Sequence, residues 1–408
     1  MEIRPILSAM MRSKTGAILV AAQVALTLAI VTNAAFVVIT RIGITERATG
    51  VDEPNLFWLT LQGARTIDDP EAMVQKDLET LRAIPGVVAA GTMNQMPLGS
   101  SGWGSGITLN KDQPGSEISV AMFLGDEAAV DALGVRLVEG RAFQAAEVRS
   151  GDVRKVDVNP NTVILTRNLA RRLFADGSSP IGKTVWLGSG ASAPQLTVVG
   201  VVETLMTPWA QRDDNDAYGS LIAALRLYSD RASYAIRTEP GQLARVQKAA
   251  EQALLGLRTD RVMVRNKSMA RMRELRYRAD KTGAGMLIAV SIGLLLVTGS
   301  GIVGVASLWV SQRRKQIGVR RALGAGRIDI VRYFVTENVI ITTIGAAAGA
   351  ALALGLNQWL ASELSIARLP IAYVIGGVLA LWTLGVVAVL GPAWRAAAIP
   401  PAIATRSA

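Results

Sequence analysis

Residues Thr282–Val310 read TGAGMLIAVSIGLLLVTGSGIVGVASLWV, 29 consecutive positions without a charge. A helix rises about 1.5 Å per residue, so roughly 20 apolar residues cross the hydrocarbon core of a bilayer. Three other stretches have the same character. Ala17–Thr40 and Leu369–Trp394 hold 24 and 26 residues without a charge, and Tyr333–Leu356 holds 24 with one acid, Glu337. One such run fits a buried helix of a large soluble protein; four predict membrane-spanning helices. Gly293, Gly299, Gly301 and Gly304 in the second run, and Gly345, Ala348, Gly349 and Ala353 in the third, would let helices approach closely in a bilayer. The first run is longer than the roughly 7–15-residue apolar core of a cleaved signal and has no small-x-small site before Arg41, so it reads as an uncleaved anchor.

Composition narrows the chemistry. The 408 residues include no cysteine and no histidine. That excludes disulfides, thiol nucleophiles, histidine acid–base catalysis, and cysteine or histidine metal ligands. The net charge is +11, and nearly all the excess lies in three short segments. Residues 1–16 carry three basic side chains. Ser311–Arg332 carries seven: Arg313, Arg314, Lys315, Arg320, Arg321, Arg327 and Arg332. The segment after Trp394 carries Arg395 and Arg406. Short loops rich in Lys and Arg stay cytoplasmic. Four crossings then place both termini and residues 311–332 on the cytoplasmic side, with residues 41–281 and the short loop 357–368 outside. The basic balance reports topology, and the basic loop lacks the aromatic interleaving of a nucleic-acid surface, so no nucleic-acid partner is expected.

The expected fold class is an α-helical membrane protein with four transmembrane helices. A large α+β extracytoplasmic domain of two subdomains lies between the first and second. The order is a cytoplasmic segment 1–16, helix 17–40, external domain 41–281, helix 282–310, cytoplasmic loop 311–332, helix 333–356, external loop 357–368, helix 369–394 and tail 395–408. Within the external domain, Asn55–Leu61 reads as a strand. Pro70–Ala83 reads as a helix with Asp69 as N-cap and Pro70 at its first position, and Val87–Thr92 as a strand, giving a β-α-β unit. Ser233–Arg237, Gln242–Leu257 and Arg261–Arg265 repeat that order. A β-rich subdomain at about 134–225 is inserted between the two units, with strands at Val163–Thr166, Thr184–Leu187 and Gln195–Val202 and a short helix at Asn168–Phe174. Met96–Gly106 (MPLGSSGWGSG) reads as a loop by composition, and Arg265–Lys281 as a helical stalk entering the second span.

Gly177–Thr184, GSSPIGKT, matches the phosphate-binding pattern G-x-x-x-x-G-K-[ST]. That motif needs a strand before it and a helix after. Here the preceding LARRLFAD reads as helix and the following VWLGSG as strand and turn, so the match is read as a turn between helix and strand. No catalytic, cofactor or metal residue is expected in this chain.

Two cytoplasmic stretches carry the sharpest signals. Ser311–Glu337 reads SQRRKQIGVRRALGAGRIDIVRYFVTE, and Gly391–Arg406 reads GPAWRAAAIPPAIATR. The first resembles the REIGxRRALGA signature of the MacB/FtsX-like permease family of ABC transporters, and the second its PAxRAAxxxPAxALR ending. VRLVEGRAF (135–143), VILTRNLARRLF (163–174), PIGKTV (180–185) and TVVGVV (197–202) are similar to that family's periplasmic core domain. The family often has P-I-G-K at the false phosphate loop.

Gln316–Ala325 interleaves apolar Ile317, Val319, Ala322 and Leu323 with Arg320 and Arg321, which makes a short amphipathic helix ending at Gly324 and Gly326. The resemblance implies that Gln316, Ile317, Gly318, Val319, Arg320, Arg321, Ala322, Leu323, Gly324 and Ala325 are a coupling helix. That helix would dock on a separate ABC ATPase dimer, which holds the Mg-ATP. Gln316 stands where the family usually has Glu, which puts one expected ion pair of that contact in question. Glu337 is expected to form a structural ion pair with a basic loop residue. The implied setting is the bacterial cytoplasmic (inner) membrane with the large domain periplasmic. The implied partners are the lipid bilayer, a second permease chain (identical or paralogous), and a periplasmic adaptor with an outer-membrane channel. The implied work is export of a peptide or antibiotic-like substrate by mechanotransmission. Lipoprotein release, control of a cell-wall hydrolase, or a signalling or structural membrane role are the alternatives.

Overall fold

The computed structural model describes residues 14–99, 101–112, 117–153, 158–209, 214–364 and 368–400. The chain divides into two compact units, one formed by Ile44–Ala279 and the other by the residues up to Gly43 and from Asp280 onward. The segments 1–13 and 401–408, with part of the 357–368 loop, lie outside the described residues.

The first helix, α1, runs Lys14–Thr45. Beyond it, β1 (Leu56–Gly63), α2 (Pro70–Arg82) and β2 (Val87–Thr92) follow the expected order. The Asp69 carboxylate accepts from the Ala72 N–H at 2.9 Å, and Pro70, with no N–H to satisfy, occupies the first helical turn.

A closed β-structure comes next. It contains β3 (Gly104–Thr108), β4 (Ile118–Gly125), α3 (Ala129–Leu133), β5 (Leu137–Gly140), β6 (Arg149–Asp152), β7 (Thr162–Thr166), α4 (Arg167–Leu173), β8 (Thr184–Leu187), β9 (Gln195–Val202) and β10 (Ser220–Tyr228). Hydrogen bonding runs β4-β3-β8-β9-β7-β10 and returns from β10 to β4, so six strands close a ring; β5 and β6 pair outside it with β9 and β10. Closure removes free strand edges. Ile107, Val120, Val163, Leu165, Val185, Leu196, Val198 and Leu221 form its buried core.

The β-rich segment therefore begins at β3, ahead of the expected residue 134. Composition misled here: Gly104 and Gly106 read as loop, yet they let β3 approach its neighbours. A Cβ on Gly104 would lie 2.8 Å from the Trp209 ring and 3.0 Å from the Val120 carbonyl oxygen.

The chain then forms β11 (Arg231–Thr238), α5 (Leu243–Leu257) and β12 (Arg261–Ser268). The four strands β12-β1-β11-β2 make one antiparallel sheet. Each β-α-β unit is split, because a strand of the other unit lies between its two strands. This is the ferredoxin-like interleaving, and long-range pairing produces it. Alternate residues of β1 face two cores. Phe57, Leu59 and Leu61 pack with Val74, Leu78 and Leu81 of α2 and Val246, Ala250 and Leu254 of α5. Leu56 and Trp58 share the other core with Phe123, Ile164 and Ile222. Beneath α2, Asp77 and Arg261, both 1% exposed, pair at 2.6 Å, and the Tyr234 hydroxyl donates to the same carboxylate at 2.7 Å.

The last four helices are α6 (Met269–Gln312), α7 (Arg314–Ala322), α8 (Arg327–Leu364) and α9 (Ile371–Ala397). Among the described residues, four helices, α1, α6, α8 and α9, are long and apolar enough to cross a membrane. The basic stretch after Arg265 is strand up to Ser268 and helix from Met269, later than expected, because Arg265 and Lys267 pair in register with Thr60 and Trp58 of β1. Helix α8 likewise runs through 357–364, which had been expected to be loop.

The glycines of the third run are packed. A Cβ on Gly345 would sit 2.6 Å from the Ala21 carbonyl oxygen, and one on Gly349 2.7 Å from that of Ala25. In the second run Gly299 and Gly301 meet a neighbour within 4 Å, while Gly293 and Gly304 meet none among the described residues.

Candidate functional site

Helix α7 is short, basic and two-faced. Ile317 (5% exposed) and Gly318 are buried, and Ile317 packs with Ala306 and Val310 of α6, Ile330 and Phe334 of α8, and Ala393 of α9. Gln316, Val319, Arg320, Ala322, Leu323 and Gly324 are exposed, and Arg321 and Ala325 are half-buried. Leu323 is 83% exposed, an unusual position for a leucine, and Ile328 on the following helix is 65% exposed.

The end of α7 is built by its glycine. Gly324 takes φ +98°, its N–H donates to the Arg321 carbonyl at 3.2 Å, and the Ala325 N–H donates to the Arg320 carbonyl at 3.1 Å. This double bond pattern satisfies carbonyls that the helix end would otherwise orphan, and it needs a residue that tolerates positive φ. It fixes Leu323 at the turn.

The two arginines have separate destinations. Arg320 lies over the Tyr333 ring at 4.8 Å. Arg321 turns inward and donates to the carbonyl of Ala397 at the C-terminal end of α9, a favourable place for a cation. Arg321 therefore does not join Arg320 on the exposed side of the helix. Its partner lies 76 positions away, where helical periodicity gives no information.

Glu337 is 1% exposed and accepts from Arg313 Nη1 at 2.8 and 3.0 Å. Arg313 is the junction residue between α6 and α7 and also lies 5.7 Å from the Trp309 ring. A buried carboxylate needs such a partner, since removing one member of a buried pair costs about 3–5 kcal/mol. The pair holds the start of α7 against α8.

Sequence reasoning missed Ile328, a further exposed apolar side chain close in sequence to Val319 and Leu323. Sequence alone does not separate it from Ile330, two positions on, which is buried in the bundle.

The phosphate-like loop stands in the wrong order for that motif: α4 precedes it and β8 follows it. Lys183 donates to Ser178 Oγ and lies over the Phe174 ring at 4.7 Å, so its ammonium is held within the turn.

Four membrane-length helices among the described residues, a large α/β segment between the first two, and an anchored basic helix between the second and third are the architecture of a multi-pass membrane protein. Residues 20–253 match the family described as MacB-like periplasmic core domain, and residues 288–401 match FtsX-like permease C-terminal. The chain belongs to this MacB/FtsX-like family of ABC-transporter permeases, as the signatures in residues 311–337 and 391–406 suggested.

Among curated relatives, it is 28% identical over 284 residues to the macrolide export ATP-binding/permease protein MacB of Acinetobacter baylyi, covering 67% of this chain and 40% of that one. It is 27% identical over 280 residues to the pyoverdine export ATP-binding/permease protein PvdT of Pseudomonas savastanoi pv. phaseolicola, covering 66% and 40%. The chain thus spans about two fifths of the length of these relatives. It is also similar to the periplasmic region of MacB from Actinobacillus actinomycetemcomitans, with 16% identity, a TM-score of 0.33, and coverage of 57% of this chain and 97% of that one.

Proposed function

We propose that the chain is a permease subunit that converts ATP-driven motion of a separate ATPase dimer into work outside the cytoplasm. The work is export of a peptide or antibiotic-like molecule. Both termini and α7 lie on the cytoplasmic side, and residues 41–281 lie in the periplasm. Residues 316–325 dock on the ATPase, which supplies the Mg-ATP. Two permease chains, identical or paralogous, stand over the ATPase pair, and a periplasmic adaptor and outer-membrane channel complete the route. Closing of the ATPases pushes α7, the spans carry the movement, and the outer domain changes shape.

The observation that carries this reading is the division of α7. Ile317 and Gly318 are locked into the helical bundle while Val319 and Leu323 stand exposed beside Arg320. An anchored helix with an apolar, cationic outer face suits the receipt of a push from a protein surface that carries carboxylates. The relatives' names, which join ATP binding to a permease and to export, support the same reading. Co-purification of the tagged full chain from its own cells tests it. The chain should bring down an ATPase, and Leu323→Asp or Arg320→Glu should lose it without loss of the chain. A chain that comes down without an ATPase overturns the reading.

A further inference from the structure

Within the unit Ile44–Ala279, the four-stranded sheet presents an unusual polar face. Register places Arg265 and Lys267 of β12 opposite Thr60 and Trp58 of β1, and Ser233 and Arg231 of β11 opposite Thr60 and Gln62. Side chains two apart on a strand share a face, so three cations gather around one tryptophan. Two clefts of about 420 and 250 Å³ open there, and both are lined by Trp58 and Arg265. The larger adds Arg231, Trp103, Asn94 and Gln95; the smaller adds Lys267 and Arg276. No acidic side chain is among the described residues lining either cleft.

Among the described residues these cations have no carboxylate to neutralise them. Arg273, Arg261 and Arg226 of the same unit each reach a carboxylate within 4 Å. Arg231, Arg265, Lys267 and Arg276 have no such partner among the described residues. Arg265 lies 3.9 Å over the Trp58 ring. Burial first, and the nearby Arg231 charge second, press the Arg265 guanidinium below its usual pKa. Trp58 is only 5% exposed, and its buried indole N–H has no acceptor among the described residues; the Arg276 Nε–H is in the same position. Like charges held together, with unused donors beside aromatic walls, describe a site complementary to an acid that carries a ring.

We propose that this cleft binds a small anionic, ring-bearing molecule, its acid group held by Arg231 and Arg265 and its ring packed against Trp103 at the mouth. Its role as a cargo-recognition site rests on the export reading; the binding does not. A cleft of about 420 Å³ suits a molecule or a side-chain pair rather than a folded partner.

The test uses the full chain in lipid nanodiscs and naphthalene-1,5-disulfonate as probe, followed by calorimetry and by tryptophan fluorescence. Saturable binding of one probe per chain is expected. Arg265→Gln and Arg231→Gln should each weaken it roughly tenfold, the scale of one charge-assisted hydrogen bond in a buried site. Arg167→Gln, which breaks an ion pair with Glu203 away from the cleft, should bind like the parent. Circular dichroism and thermal unfolding confirm that each variant is folded. Equal binding of 1-naphthalenemethanol, no binding of the disulfonate, or retained affinity in folded Arg265→Gln would each overturn the proposal. Loss of ATPase co-purification would strike the export reading alone and leave this binding intact.

Discussion

Arg273 donates to both carboxylate oxygens of Glu53, at 2.6 and 2.8 Å, and the same guanidinium donates to the carbonyls of Thr45 and Arg47 at 2.7 and 2.8 Å. Thr45 is the last residue of α1, and Arg273 stands in the second turn of α6. One side chain thus satisfies a helix end and an acid together, in the fork geometry that only arginine supplies. Replacing Arg273 with Lys keeps the charge but loses the fork. It should destabilise the chain by about 1–3 kcal/mol, read as a lower unfolding temperature in detergent; an unchanged temperature would show the fork to be dispensable.

The same pair sets a pH dependence. Burial alone would raise the Glu53 carboxyl, but hydrogen bonds from Arg273 and Thr49 outweigh it and hold the pKa below its usual 4.5. A depressed acid contributes stability that is complete above its unfolded pKa and fades as pH falls through the folded one. The gap in unfolding temperature between the parent and Glu53→Gln should be widest near neutral pH and should close as the pH drops below about 4.5. A gap that widens toward acid would contradict the assignment.

Arg313 and Glu337 allow a double-mutant comparison. Glu337→Ala leaves a half-buried guanidinium unpaired, and Arg313→Ala strands a carboxylate that is 1% exposed. Each should cost about 3–5 kcal/mol, while Arg313→Met with Glu337→Leu should recover most of that loss. Unfolding temperatures of the three variants measure the coupling. Additive losses would mean that the pair does not act as a unit.

Gly345 and Gly349 give a packing prediction. Helix α8 touches the backbone of α1 at both positions, and a Cβ would come within 2.6–2.7 Å of a carbonyl oxygen. Gly349→Leu should separate the two helices and lower the yield of folded chain, whereas Gly293→Leu, with open space around it, should be tolerated. Size-exclusion profiles in mild detergent distinguish the two.

The absence of cysteine from the chain makes topology simple to read. A cysteine placed at Ser101 should react with an impermeant thiol reagent in spheroplasts, and one at Ser311 should not. The reverse pattern would invert the proposed orientation.

Much of this architecture was legible because it is written locally. Charge-free length marks the spans, and Asp69 before Pro70 marks the start of α2. What stayed hidden depends on distant partners. The interleaving of β11 between β1 and β2 joins residues more than a hundred positions apart. Ring closure recruits β3 through glycines that composition assigns to a loop. At α7 the apolar spacing identified a two-faced helix, but the destination of Arg321 depends on the end of α9. The cationic cleft was invisible for the same reason: Arg231 and Arg265 are ordinary surface arginines until the sheet sets them beside Trp58.

In the proposed mechanism, α7 presents Leu323 outward to the ATPase while Ile317 roots the helix in the bundle. A photo-crosslinking amino acid placed at either position in native membranes tests this directly. An adduct with an ATPase subunit is expected from position 323 and none from position 317. Adducts of equal yield from both positions, or no ATPase adduct from position 323, would contradict it.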